Sequence, residues 1–317
     1  MSSADARKES EFALAKPYLG TGALSASSLF DVKGWVCVVT GGGTGLGLVT
    51  AAALAENGAK VYITGRRLET LEAAAKTAAP KGGSGKIIPI QADAATKEGA
   101  QKMRDAVAKE ENWVNLLVNN HGVSIPHGEP DSTDNSPEAL SKEMFENETY
   151  EHWLDAYRIN TASYYFSTWA FVPLLCSAKT KGGAQEVGNV VNISSMSGIT
   201  RTSQRGQFSY NCSKAATISL TDQLAFELAR RGLNIRVNTI CPGYFPSGMS
   251  VFPPDTIDNH AAHAKEWREK WGVPFGRAGN ARDYAQCIFG VVTNAYQTGA
   301  HVVIDGGWLL EQGELLT

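Results

Sequence analysis

A chain of 317 residues, 43% hydrophobic and 19% charged, has ordinary globular composition, which excludes a mostly disordered protein. A formal net charge of -3 supplies no broad positive field, so nucleic acid is not an expected partner. No stretch approaches the roughly 20 apolar residues that span a bilayer, so no membrane partner is expected either.

The five cysteines, Cys37, Cys176, Cys212, Cys241 and Cys287, show no CxxC spacing and read as buried free thiols in a reducing compartment. With no apolar leader at the N-terminus, a cytoplasmic location is expected. His260 and His263 lack a carboxylate or cysteine partner and read as a solvated helix face, so no metal site is expected.

In chain order, residues 1–30 are rich in Ser, Ala and charged groups and read as an extension preceding one domain over 31–317. From there short β-branched runs alternate with amphipathic stretches. The runs are Val36–Thr40, Lys60–Thr64, Lys86–Ile90, Asn115–Asn119, Asn189–Ile193, Ile235–Ile240 and His301–Ile304. Helical segments such as Ala51–Asn57, Leu68–Ala79 and Ala100–Glu110 lie between them. Apolar strands alternating with helices imply a parallel sheet covered on both faces, here an α/β, doubly wound, Rossmann-like sheet of seven strands. Two stretches break the rhythm. Residues 123–150, with Pro126, Pro130 and Pro137, read as an insertion at the sheet's carboxyl edge. Residues 244–280, with Pro246, Pro253, Pro254 and Pro274 around the amphipathic His260–Trp271, read as a substrate lid.

Thr40-Gly-Gly-Gly-Thr-Gly-Leu-Gly47 follows the first run and opens a helix. Glycines there permit a tight turn and close approach of the backbone to a pyrophosphate, whose charge sits at the helix N-terminus. Tyr210 and Lys214 are four apart, so on a helix they share a face. A free phenol has a pKa of about 10, and a neighbouring ammonium favours its ionised form, bringing Tyr210 toward the working range of an acid–base group.

The glycine spacing, Asn119-Asn-His-Gly122, the Ser-x2-Gly of Ser195–Gly198 and Tyr210-Asn-Cys-Ser-Lys214 recur in one order, and from about Lys33 to Trp308 the chain resembles the short-chain dehydrogenase/reductase family. That resemblance implies an NAD(P)-dependent oxidoreductase that interconverts a ketone and a secondary alcohol. It assigns chemistry to Asn160, Ser195, Tyr210 and Lys214: Ser195 as oxyanion donor, Tyr210 as acid–base group, and Lys214 with Asn160 and water as the proton path. It assigns the cofactor to Gly41, Thr44, Gly45, Leu46 and Gly47, to Asp93 and Ala94, to Asn120 and Gly122, to Pro242, Gly243, Phe245 and Ser247, and to Tyr210 and Lys214 again. Asp305–Trp308 resembles the family's C-terminal turn and reads as structural.

Some positions depart from the family. His121 replaces the usual alanine and either packs beside the cofactor or points toward the substrate. Asp93 either bonds adenine or caps a helix before Ala94. The 15 positions from Ser195 to Tyr210 exceed the family's spacing, so either an insertion falls within Ile199–Phe208 or Ser197 is the serine in register.

Cofactor choice rests on Gly65, where NAD-preferring enzymes carry an acid about 20 residues beyond the loop. Glycine leaves room for a 2′-phosphate and Arg66 offers a fork of donors, with Arg67 either assisting or facing solvent, so NADP(H) is the expected partner. Thr44 stands where many NADP-preferring relatives are basic, which keeps NAD(H) open. Tyr244, Phe245, Trp267 and Trp271 serve either an apolar substrate or the packing of the lid. Leu220, Leu224 and Leu228, with Trp153, Tyr157, Tyr165 and Trp169, form broader apolar stripes than a sheet needs; in related enzymes the equivalent helices pair, so a homodimer or homotetramer is expected. The alternatives are a dinucleotide-binding sensor or structural protein without chemistry, and an epimerase or dehydratase on the same fold.

Overall fold

Val-Cys-Val-Val-Thr is buried at all five positions, as a strand covered on both faces must be. The fold comes from a computed structural model, whose described residues are 13–184, 186–248 and 260–311. All seven apolar runs are strands: β1 Val36–Thr40, β2 Lys60–Gly65, β3 Lys86–Gln91, β4 Leu116–Asn119, β5 Asn189–Ile193, β6 Arg236–Pro242 and β7 His301–Ile304. They form one parallel sheet in the order β3-β2-β1-β4-β5-β6-β7. Pro89 is tolerated in β3 because β3 is an edge strand, where a missing N–H breaks no ladder.

The helices of eight residues or more among the described residues are α1 Gly45–Glu56, α2 Leu68–Thr77, α3 Lys97–Glu110, α4 Pro137–Glu146, α5 Tyr150–Tyr157, α6 Ser163–Lys181, α7 Phe208–Arg230, α8 His260–Glu269 and α9 Ala281–Thr293. Alternation along β1 splits the core. Cys37 and Val39 join Leu54 of α1 and Ile288 of α9 on one face. Val36 and Val38 join Met103 of α3, Phe171 of α6 and Leu228 of α7 on the other. Each fully buried side chain of this size stabilises the fold by roughly 1.5–3 kcal/mol. Among the described residues, no helix is long and apolar enough to cross a membrane.

Several expectations need correction. Leu224 and Leu228 lie in the core beneath the sheet and Leu220 packs on them, so this stripe is not surplus apolar surface. The exposed large apolar groups of these helices are Tyr150, Leu154, Tyr157, Tyr165, Phe166, Phe208 and Phe226. Cys212 is exposed rather than buried, on the face of α7 that turns away from Ser213 and Lys214. The 123–150 segment holds a helix, α4, entered through Pro137 with Ser136 accepting from the Ala139 N–H. His263 does have a carboxylate neighbour, with Nδ1 3.5 Å from Glu266; Pro253 and Pro254 lie outside the described residues.

Candidate active site

β1 and β4 are neighbours although β2 and β3 separate them in sequence, so chain direction across the sheet reverses there and opens a crevice at the carboxyl ends. A groove of about 900 Å³ fills it. Of the residues assigned above to cofactor and chemistry, all but Gly47 and Asn160 line this groove. Gly47 instead packs against the loop, where an added Cβ would sit 2.4 Å from the Gly41 carbonyl and from Asn120 Nδ2, so only glycine fits. Asn120 fastens the loop, with Nδ2 donating to the carbonyls of Thr40 at 3.0 Å and Gly41 at 3.2 Å. Thr44, the N-cap of α1, makes no side-chain capping bond, so the first N–H groups of that helix are left for an anion.

Asp93 does not cap α3, whose N-cap is Thr96. Its Oδ1 accepts from the Ala95 N–H at 3.0 Å and holds the turn after β3 against the groove. Arg66 and Arg67 are exposed at the groove's rim. Ser247 lies beside the glycine loop, since a Cβ on Gly45 would approach its Cβ to 3.3 Å. Phe245 is buried and packs edge-on against Tyr284, so its ring belongs to the core as well as to the groove wall.

The candidate reactive groups come from β5, the turn after it, and α7. Ser194 donates to the Lys214 carbonyl at 2.7 Å and is committed to holding α7. Ser195 Oγ donates to the Pro242 carbonyl at 3.5 Å and accepts from the Ser197 N–H at 3.1 Å, and it lines the groove together with Tyr210. The Ser-x2-Gly pattern has a physical reason: a Cβ on Gly198 would fall 2.6 Å from the Lys214 backbone, so glycine lets this turn lie directly on α7. Lys214 Nζ donates to the Ile193 carbonyl at 2.9 Å and stands 5.8 and 5.9 Å from the ring centres of Tyr164 and Tyr210.

Burial raises the Tyr210 phenol above its ordinary 10, with Ser195 opposing it. This runs against the expectation that Lys214 brings the phenol down. Burial also lowers Lys214 to about 8.

Asn160 sits in a π turn, Arg158–Ala162, between α5 and α6. Its side chain accepts from the Val123 N–H at 2.9 Å and donates to the Val123 carbonyl and Ser213 Oγ, both at 3.0 Å. Thr217 donates to its carbonyl at 2.7 Å. Asn160 thus fixes the backbone beside Gly122, where a Cβ would lie 3.1 Å from its Oδ1 and 3.4 Å from Lys214 Nζ. His121 packs rather than reaching across the groove: Nδ1 is 2.8 Å from Thr40 Oγ1, Nε2 is 2.7 Å from Ser163 Oγ, and the ring meets Tyr164 edge-on. Burial, with Lys214 nearby, lowers it from 6.5 to about 3, so the imidazole is neutral.

Trp267 is buried and packs with Met196, Val273 and Trp308, so it belongs to the lid's interior. Tyr244 and Trp271 line the groove. Trp308, read from sequence as part of a structural turn, donates from Nε1 to the Trp271 carbonyl at 3.0 Å. Met196, Gln204 and Gln207 are among the groove residues that sequence reasoning missed. The excess length between Ser195 and Tyr210 was the signal for the two glutamines.

The uncapped helix N-terminus, the glycine cradle and the groove running from Arg66 to Ser247 fit a dinucleotide. Fold and site together define a dinucleotide-dependent oxidoreductase class. The family model described as short chain dehydrogenase matches residues 35–255. A curated relative, the short-chain dehydrogenase/reductase PhomF of Diaporthe leptostromiformis, is 36% identical over 91% of this chain and 96% of its own length. The NADP-dependent (R)-specific alcohol dehydrogenase of Lentilactobacillus kefiri is 31% identical over 87% of this chain and 97% of its own. Among solved structures, the Pseudomonas aeruginosa RhlG/NADP active-site complex superposes with a TM-score of 0.71 at 29% identity, covering 88% of this chain and 98% of that one. The chain belongs to the short-chain dehydrogenase/reductase family, whose members are NAD(P)-binding oxidoreductases acting on small molecules.

Proposed function

We propose that the chain is a cytoplasmic, NADP(H)-dependent oxidoreductase that interconverts an apolar ketone and the corresponding secondary alcohol, with Tyr210 as the acid–base group. The observation that carries this reading is the convergence of Ser195, Tyr210 and Lys214 on one groove, with Lys214 Nζ 5.9 Å from the centre of the Tyr210 ring. When bound, the nicotinamide supplies or accepts the hydride. Ser195 turns its hydroxyl proton toward the carbonyl oxygen as negative charge grows there. Tyr210 gives its proton to that oxygen, and Lys214 stabilises the phenolate left behind. The proton is restored through Lys214 and water held at the Asn160 turn. Because burial keeps Tyr210 protonated at neutral pH, the resting site is set for reduction.

Preference for NADP(H) is supported by Gly65 and the exposed Arg66 at the groove's rim; the NADP named for two of the proteins above is consistent with it. Assembly into a homodimer or homotetramer is supported by the exposed apolar groups on α5, α6 and α7. The test is a panel of ketones and secondary alcohols assayed with both dinucleotides. Higher kcat/KM with NADPH is expected, and Arg66→Ala should cost roughly 1.5–3 kcal/mol with NADPH but little with NADH, as loss of a charged hydrogen bond does. Equal or better efficiency of the unmodified protein with NADH would overturn the cofactor assignment.

A further inference from the structure

Between Ser195 and Tyr210 the chain does something costly. Gln204, Arg205 and Gly206 are consecutive residues in the left-handed region, with φ of 50°, 66° and 94°. Two of them carry side chains, for which this conformation is unfavourable unless the surroundings impose it. The surroundings do so from two sides. A Cβ on Gly206 would lie 2.1 Å from the Gly128 carbonyl and 2.8 Å from Pro130, so the loop is pressed against the 123–150 insertion. Within the loop, Gln207 Nε2 donates to the Gln204 carbonyl at 3.1 Å and the Gly206 N–H donates to Ser203 Oγ at 3.2 Å. The backbone of Gln204 is therefore clamped, and its side chain lines the groove that also holds Ser195, Tyr210, Tyr244 and Trp271.

Gln204 and Tyr244 line the groove together, and Gln204 works against the upward pull of burial on the Tyr244 phenol. Its Oε1 is buried with no partner. A buried acceptor without a donor is uncommon and calls for an explanation. The terminal torsion of a glutamine is broad, so the carboxamide can turn toward the groove while the clamped backbone stays in place. Around it the wall is aromatic, with Tyr244 and Trp271 packed edge-on at 5.6 Å.

We propose that Gln204 is a specificity-determining residue: its Oε1 accepts a hydrogen bond from a hydroxyl that the substrate carries away from its reacting carbonyl, on a ring packed against Tyr244 and Trp271. The substrate class is then a ketone bearing a hydroxylated aromatic ring. This rests on the reading of the groove as a ketone-reducing site.

The experiment measures kcat/KM of the full chain with NADPH for benzylacetone, its para-hydroxy analogue and its para-methoxy analogue, with NADPH binding followed by fluorescence. The hydroxy compound should be preferred over both others by roughly three- to tenfold, the range of one neutral hydrogen bond. In Gln204→Leu that ratio should fall to about one through a higher KM for the hydroxy compound, whereas Gln204→Glu, still an acceptor, should keep the preference. Equal efficiency on all three by the unmodified protein, or preference for the methoxy compound, would overturn the assignment to Gln204 while leaving ketone reduction standing. If NADPH binds and none of the three is reduced, the ketone reading fails and this proposal with it.

Discussion

Three ionisable side chains meet at the floor of the groove, and burial sets the charge on each. Tyr210 is held neutral, Lys214 keeps its proton only below about 8, and His121 stays neutral down to about 3. For His121 the folded pKa lies below the unfolded one, so from 6.5 downward the unfolded chain takes up a proton that the folded chain refuses. Its contribution is therefore present above 6.5 and is lost as pH falls, by about 2 kcal/mol at about pH 5. His121→Asn should be less stable than the unmodified protein at about pH 7, by roughly 1–3 kcal/mol for two partly buried hydrogen bonds. Urea midpoints should show that deficit closing or reversing near pH 5. An unchanged deficit at both pH values would contradict a buried, neutral imidazole. The roles of Tyr210, Lys214 and Asn120 could be addressed from sequence because strand ends and helical periodicity place them. His121 was ambiguous there because its partners, Thr40 and Ser163, are far away in the chain and only the sheet brings them together.

Elements were legible where burial on two faces leaves a continuous apolar run, as in β1, β4 and β5. They were less legible where an element serves two neighbours. α7 carries Leu224 and Leu228 inward and Phe226 outward, and periodicity does not say which apolar side the sheet takes. The loop from Ile199 to Phe208 announced itself by length alone, since left-handed glutamine and arginine leave no compositional mark. The outward apolar groups have a consequence. If the helices α5 and α7 pair across a two-fold axis, Leu154 and Phe226, 65% and 69% exposed in the single chain, are covered in the assembly. Sedimentation at micromolar concentration should show a dimer or tetramer for the unmodified protein and dissociation for Leu154→Glu with Phe226→Glu. A monomeric unmodified protein would contradict the assembly.

At the scale of the whole molecule, the sheet collects residues separated by some two hundred positions. The carboxyl ends of β1, β4, β5 and β6 deliver the glycine loop, Asn120, Ser195 and Pro242 to one crevice, and α7 adds Tyr210 and Lys214. A parallel, doubly wound sheet was implied by the alternating runs, since parallel neighbours require crossovers that place helices on both faces. What the alternation could not convey is the shape of the segments outside it, where the left-handed loop presses on Gly128 and Pro130 and the lid's Trp267 packs with Met196, Val273 and Trp308. Gln204, Gln207, Tyr244 and Trp271 of these segments line the groove, so the reaction class was more legible than the substrate. The account turns on one proton. Tyr210→Phe removes it and keeps the ring, so turnover of a ketone that the unmodified protein reduces should fall below about a hundredth while NADPH still binds. Retention of more than about a hundredth of kcat by Tyr210→Phe, with NADPH bound, would contradict Tyr210 as the acid.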